Sequence, residues 1–251
     1  MPAPPEAPVL LFLPARDEAP RVGAVIGRAP GAVGGHPVEV LVVDDGSTDG
    51  TARVATAAGA SVVAIGGLGL GAGVRRGLAE GVARGAAAVA FCDADEEYDS
   101  AELERLVAPI LAGEADYVVG SRFAGDIQRM LPHRRLGNLV LTKVLAFVAR
   151  APITDGQSGY RALSLPAATA AEVIHDFNYA QILTLDLLAK GFRYAEVPIT
   201  YRFRSSGESF VRLGRYLRQV VPAVWRELNG EREGAAVRRG VHAPSPGPRA
   251  A

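Results

Sequence analysis

Cysteine occurs once in 251 residues, at Cys92. That scarcity excludes an intramolecular disulfide framework and any cysteine-based zinc site. Cys92 ends the apolar run Ala87–Cys92, so a small buried core residue is a simpler reading than a catalytic thiol. Net charge is also lacking: 27 Lys and Arg offset 27 Asp and Glu, and nothing in the total points to nucleic acid. No stretch reaches the roughly 18 to 20 apolar residues of a bilayer span. Leu136–Ala149 comes nearest, but it is short and contains Asn138 and Lys143. Met1–Pro8 has no basic segment followed by an apolar one and does not read as a signal peptide. The expected location is cytoplasmic, with room for peripheral contact at the inner face of the membrane. His36, His133, His175 and His242 include no i, i+4 pair, and no internal repeat is visible.

What is present suits a folded α/β chain. Hydrophobic residues make up 49% and charged residues 22%, enough for a sizeable core. Val9–Leu13, Val38–Val43, Ser61–Ile65, Ala87–Phe91 and Tyr117–Val119 are nearly continuous apolar runs, as strands buried on both faces of a parallel sheet are. Helical segments at Thr51–Ala58, Val74–Arg84 and Ala101–Leu111 alternate with them, the last with Ser100 as N-cap. This alternation predicts a doubly wound sheet with its site beyond the strand C-termini. Further on, Leu136–Ala149 reads as a largely buried helix, Pro152–Gly159 as a loop, Ala180–Ala189 as a helix and Tyr194–Phe203 as a strand. Leu213 to Leu228 has the spacing of an amphipathic helix that packs on protein or lies on membrane. The expected organisation is a disordered terminus over 1–8, a domain over 9–229 and a disordered tail over 230–251. Within the domain, a nucleotide half ends near residue 120.

The acids and arginines are unevenly placed. Asp44, Asp45, Asp93, Asp95, Glu96 and Glu97 crowd the first half, and arginines crowd the chain from Arg122 onward. Asp93-Ala94-Asp95 directly follows a strand, where two carboxylates can jointly approach a hard divalent cation that bridges substrate phosphates. VLVVDDGSTDGT (Val40–Thr51) ends another strand in acids able to accept hydrogen bonds from a base and ribose. LPARDE (Leu13–Glu18) ends the first. Arg202 and Arg204 share a face by period two and could bind an anion.

Together LPARDE, VVDDGSTDGT, the glycine-rich Gly66–Gly77, CDADEEYD and GSRF resemble the inverting GT-A glycosyltransferases. TDGQSGYRAL (Thr154–Leu163) and EVPITYRFRSSGESF (Glu196–Phe210) are similar to the dolichol-phosphate-mannose-synthase branch and its prokaryotic polyprenyl-phosphate relatives. The resemblance implies a Rossmann-like GT-A fold with a mixed, mainly parallel sheet flanked by helices. It implies hexose transfer from GDP-mannose or UDP-glucose to a polyprenyl phosphate, with Mg2+ or Mn2+. Pro14, Ala15, Arg16 and Glu18 would line the nucleotide site, with Asp44 and Asp45 reaching base and ribose. Asp93, Ala94 and Asp95 would serve the diphosphate and metal, Asp95 as the direct ligand. Glu97 stands where a glutamine is usual, either as a further ligand or as a neutral change. Ser121 and Arg122 would contact the acceptor phosphate, with Arg134 or Arg135 as a second clamp. For a hydroxyl acceptor a base is needed, and Asp155 is the candidate. Two other readings stay open: an NAD-dependent oxidoreductase, because Gly67, Gly69 and Ala72 imitate a dinucleotide fingerprint, and a non-catalytic nucleotide- or lipid-binding module.

Overall fold

The first strand sets the layering. In β1 (Val9–Ala15), Val9, Leu11 and Leu13 are buried on one face, and Leu10 and Phe12 on the other. A strand with two apolar faces belongs inside a sheet covered on both sides. The computed structural model describes residues 7–128, 130–173 and 179–202, and over them the chain builds one eight-stranded sheet. After β1 come α1 (Val22–Arg28), β2 (Ala32–Val33), β3 (His36–Asp44), α2 (Thr51–Ala57), β4 (Ser61–Ala64), α3 (Leu70–Ala83) and β5 (Ala88–Phe91). A 3-10 turn at Ser100–Glu102 then leads to α4 (Leu103–Leu111), β6 (Tyr117–Ile127), α5 (Pro132–Ala149), β7 (Arg161–Ser164), α6 (Leu165–Ala170), α7 (Tyr179–Ala189) and β8 (Tyr194–Tyr201).

The strands lie in the order β2-β3-β1-β5-β7-β6-β8, with β4 also paired to β3. β4, β3, β1 and β5 are parallel, as are β6 and β8, while β7 runs antiparallel between β5 and β6. The C-termini of β1, β3, β5 and β6 therefore share one edge, and so does the start of β7. Side chains of α1, α2 and α4 pack on one face, those of α3, α6 and α7 on the other. α3 comes unusually close. A Cβ added at Gly77 would lie 2.2 Å from Cδ2 of Phe12, and one at Gly81 would lie 2.4 Å from Cγ2 of Val89.

The mixed, mainly parallel sheet was expected, and several details differ. β7 has no forecast, because four residues beginning with an arginine carry no readable period. β6 runs to Ile127 rather than Val119, so one strand crosses the expected boundary near residue 120. Ala7 and Pro8 are held to the sheet, not disordered: the carbonyl of Ala7 meets the His36 ring, and that of Pro8 accepts from the Ala87 amide. Asp99, not Ser100, caps the turn before α4, while the Ser100 hydroxyl donates to Val25 O at 2.6 Å. The expected largely buried helix starts earlier, at Pro132, and buries only Thr142 and Leu145. The Leu213–Leu228 helix and the tail lie outside the described residues.

Candidate active site

The loops after β1 and β3 are laced together by their polar side chains. Asp17, in the left-handed region at φ +54°, accepts from the Thr48 amide at 2.8 Å, and its own amide donates to Ser47 Oγ. The Glu18 amide donates to Thr51 Oγ1, and the Ala19 amide to Asp49. Asp44 accepts from the amide and hydroxyl of Ser47. Asp45 receives the Gly69 amide on both oxygens, at 3.1 and 3.2 Å, and Arg16 reaches it at 3.9 Å. The third loop, Gly66–Gly69, is thereby drawn against the second. Gly46, at φ +77°, completes the fit, since a Cβ there would lie 3.1 Å from the Gly67 amide nitrogen. Pro14, Ala15, Arg16, Glu18, Asp44 and Asp45 thus stand on one continuous rim, with both aspartates buried.

Beside this rim, β5 ends in Cys92 and the acidic loop. Burial pushes the Cys92 thiol up, with Asp93 and Asp95 adding to the effect, so the thiol is an inert core group. Asp95 accepts from the Glu97 amide at 3.1 Å. Glu97 accepts from the Tyr201 hydroxyl at 2.8 Å, which ties the loop to β8. Asp93 is held far above the ordinary carboxylate range, first by burial, then by the like charges of Asp95 and Glu97; Arg122 opposes them. Such a crowding of carboxylate oxygens suits a hard cation. Among the described residues no three potential ligands converge as a cage. The fit is therefore to a metal held by one or two carboxylates and completed by substrate phosphates and water.

The loop before β7 closes the site from the other side. A Cβ at Gly159 would lie 2.6 Å from Asp93 Oδ2, and the Gly159 amide donates to the Tyr98 hydroxyl at 2.8 Å. Asp155 is fully buried and takes Arg122 in a fork, Nε to Oδ2 at 2.7 Å and the second nitrogen to Oδ1 at 2.8 Å. The Arg122 guanidinium also lies 5.2 Å from the Tyr201 ring centroid. Ser121 is committed to Thr154 Oγ1 and the Ala124 amide. Arg122 and Asp155, proposed for different tasks, thus form one pair, and a base role for Asp155 would require that pair to part. Arg135 is exposed near the start of α5, with Arg134 beside it, and Arg202 follows β8 with a contact to Asp99 at 3.4 Å. Arg204 lies outside the described residues.

Three supporting residues were missed. Glu196 accepts from the amides of Thr154 and Asp155, Tyr98 props Gly159, and the buried Arg161 holds the carbonyls of Ser158 and Gly156. Their only sequence signal is membership of the quoted motifs.

The chain is similar to known glycosyltransferases in sequence and in fold. Residues 11–168 match the glycosyl transferase family 2 model. The chain is 31% identical over 206 residues to glycosyltransferase AglJ of Haloferax volcanii, covering 79% of this chain but 64% of that protein's length. It is 31% identical over 216 residues to polyprenol monophosphomannose synthase of Mycolicibacterium smegmatis, covering 80% of this chain and 79% of that one. Among solved structures it resembles glucosyl-3-phosphoglycerate synthase of Mycobacterium tuberculosis, in complex with Mn2+, UDP and glucosyl-3-phosphoglycerate. That likeness has a TM-score of 0.69 and 26% identity, over 89% of this chain and 80% of that one. On its residues, its sheet and its matches, the chain belongs to glycosyl transferase family 2.

Proposed function

We propose that the chain transfers a hexose from a nucleotide sugar to a polyprenyl phosphate, inverting the anomeric centre, with a divalent metal. The observation that carries this reading is the meeting, at one sheet edge, of the repelling carboxylates around Asp93 with the Arg122–Asp155 pair. On this reading the rim from Pro14 to Glu18, with Asp44 and Asp45, holds the nucleoside, and GDP-mannose and UDP-glucose are the candidate donors. Asp95 would be the direct metal ligand, with Asp93 and Ala94 beside the diphosphate. Glu97, bonded to Tyr201, would steady the loop rather than add a ligand. A bound Mg2+ or Mn2+ would neutralise the departing diphosphate.

The acceptor needs no strong base. A phosphate monoester is already largely ionised near neutral pH, its second pKa being about 6. One of its oxygens forms the new bond to the anomeric carbon as the bond to the nucleoside diphosphate breaks. Arg122, kept charged and oriented by Asp155, would face that phosphate. Arg134, Arg135 and Arg202 are the further cations for it, Arginine being suited to forked contact with phosphate oxygens. Asp155 acts on this reading as a positioning residue.

A second reading has a specific support: a structural neighbour binds phosphoglyceric acid. The arginines could instead hold the phosphate of a small soluble acceptor whose hydroxyl takes the hexose and gives its proton to a base, for which Asp155 would have to part from Arg122. The test is transfer from radiolabelled GDP- and UDP-sugars, with and without Mn2+, to a polyprenyl phosphate or to 3-phosphoglycerate. Metal-dependent label in the lipid supports the first reading, and label in phosphoglycerate alone replaces it with the second. Asp95→Ala should abolish transfer and metal-dependent nucleotide binding. Normal turnover in that variant would remove the metal assignment, and binding without transfer in the native chain would favour a non-catalytic module.

A further inference from the structure

α5 buries one side and leaves the opposite side bare. Thr142 and Leu145 face inward. Leu136, Val140, Val144 and Phe147, spaced four, four and three residues apart, form a stripe on the other side. Each is more than half exposed, and Phe147 is 85% exposed. Single exposed apolar side chains are ordinary, but a continuous apolar stripe marks a binding surface.

Charge selects the occupant. The other exposed residues from Arg135 to Arg150 are Arg135, Lys143 and Arg150 alone. Residues 127–154 contain no Asp or Glu, in a chain whose charges balance overall. In a two-fold dimer this face would meet itself, setting Arg135, Lys143 and Arg150 against like charges. An anionic bilayer has negative headgroups beside an apolar interior, which is what a helix whose exposed polar positions from Arg135 onward are all basic requires. Among the described residues no helix is long and apolar enough to cross a membrane, so the contact is one of lying on the surface.

We infer that the exposed face of α5 docks on an anionic lipid bilayer, with Leu136, Val140, Val144 and Phe147 at the headgroup–acyl boundary and Arg135, Lys143 and Arg150 on the headgroups. The inward side of the same helix supports the site: Thr142 Oγ1 accepts from the Gly156 amide at 3.1 Å, and a Cβ at Gly156 would lie 2.5 Å from Leu145 Cδ2. Docking would hold the Asp155–Gly159 loop close to the bilayer, where a lipid phosphate is presented. That last link rests on the lipid-phosphate reading; the docking rests on α5 alone.

The experiment is flotation of the full chain with vesicles of phosphatidylcholine, pure or containing phosphatidylglycerol, alongside Val140→Asp/Phe147→Asp and Lys143→Glu/Arg150→Glu variants. Circular dichroism checks that each variant is folded. Expected is binding to the anionic vesicles only, with affinity reduced roughly tenfold or more in each variant at moderate salt. Unchanged binding by the folded variants, or equal binding of the native chain to neutral vesicles, overturns the proposal. So does a native dimer in sedimentation that only the Val140/Phe147 variant abolishes, which would give the face to a second copy. If docking holds while label never enters polyprenyl phosphate, the docking stands and the acceptor reading falls.

Discussion

Asp155 is fully buried, and Arg122, nearly as buried, forks onto both its oxygens. Burial works against the Arg122 charge, but Tyr98 and Asp155 outweigh it and hold its pKa above the ordinary value. Removing one partner strands the other charge, so Asp155→Ala and Arg122→Ala should each cost about 3–5 kcal/mol. The double variant should cost clearly less than their sum, because the two share one interaction. Urea unfolding of the three variants measures this, and strictly additive losses would mean that the pair is not coupled. Asp93 presents the opposite case. Its carboxyl is raised in the folded chain, so its protonated form is the one folding favours. The associated stability is complete below the unfolded value near 4 and is lost as pH rises toward the folded pKa. Metal-free protein should therefore lose thermal stability as pH climbs through that window. Mn2+ with a nucleoside diphosphate should raise the melting temperature more at pH 8 than at pH 5, as thermal melts at both would report. Asp93→Asn should flatten the metal-free trend.

The close approach of α3 to the sheet depends on having no side chain at the contact. At Gly77 the added atom would overlap the ring of Phe12, a core residue stacked on Phe91 with centroids 4.9 Å apart. Gly77→Ala should thus cost about 1–3 kcal/mol through overpacking. Gly27→Ala, in α1 where nothing lies within 4 Å of the new Cβ, should be neutral or stabilising by up to about 1 kcal/mol. Thermal unfolding of the two variants separates packing from helix propensity, and similar losses in both would refute the packing account. The glycines also show where the sequence was legible. Their spacing signalled a tight strand-to-helix connection and equally imitated a dinucleotide site. What distinguishes these is which atoms α3 meets, Val89 from the strand that follows it and Phe12 from the first strand, and no local pattern carries the contact with Phe12. α5 is the reverse case. Its apolar content was evident, but apolar content alone cannot tell a buried helix from one whose stripe faces outward.

At the scale of the molecule, the site exists because one strand is reversed. β1, β3 and β5 bring their acidic loops to a common edge, and those loops could be read directly, since each follows an apolar run and ends in carboxylates. Arg122 and Asp155 could be named from their motifs, but not paired, because 33 residues separate them. Their meeting requires β7 to enter antiparallel between β5 and β6, with its first residue opposite Phe91 and Val119. That residue is Arg161, fully buried, whose fork reaches Ser158 O at 2.8 Å, Gly156 O at 3.1 Å and Ala180 O at 2.7 Å, with Thr184 and Tyr117 as further partners. It therefore couples the loop carrying Asp155 and Gly159 to both β6 and α7. Lysine keeps the charge but cannot serve carbonyls in several directions from one plane. Arg161→Lys should cost about 2–4 kcal/mol. It should lower transfer through the loosened Arg122–Asp155 side while leaving nucleoside diphosphate affinity little changed, since Asp44 and Asp45 hang from other strands. Calorimetric nucleotide titration beside the transfer assay decides this. A parallel loss of both would mean that the sheet edge yields as a single unit, and the loss of neither would leave Arg161 a packing residue.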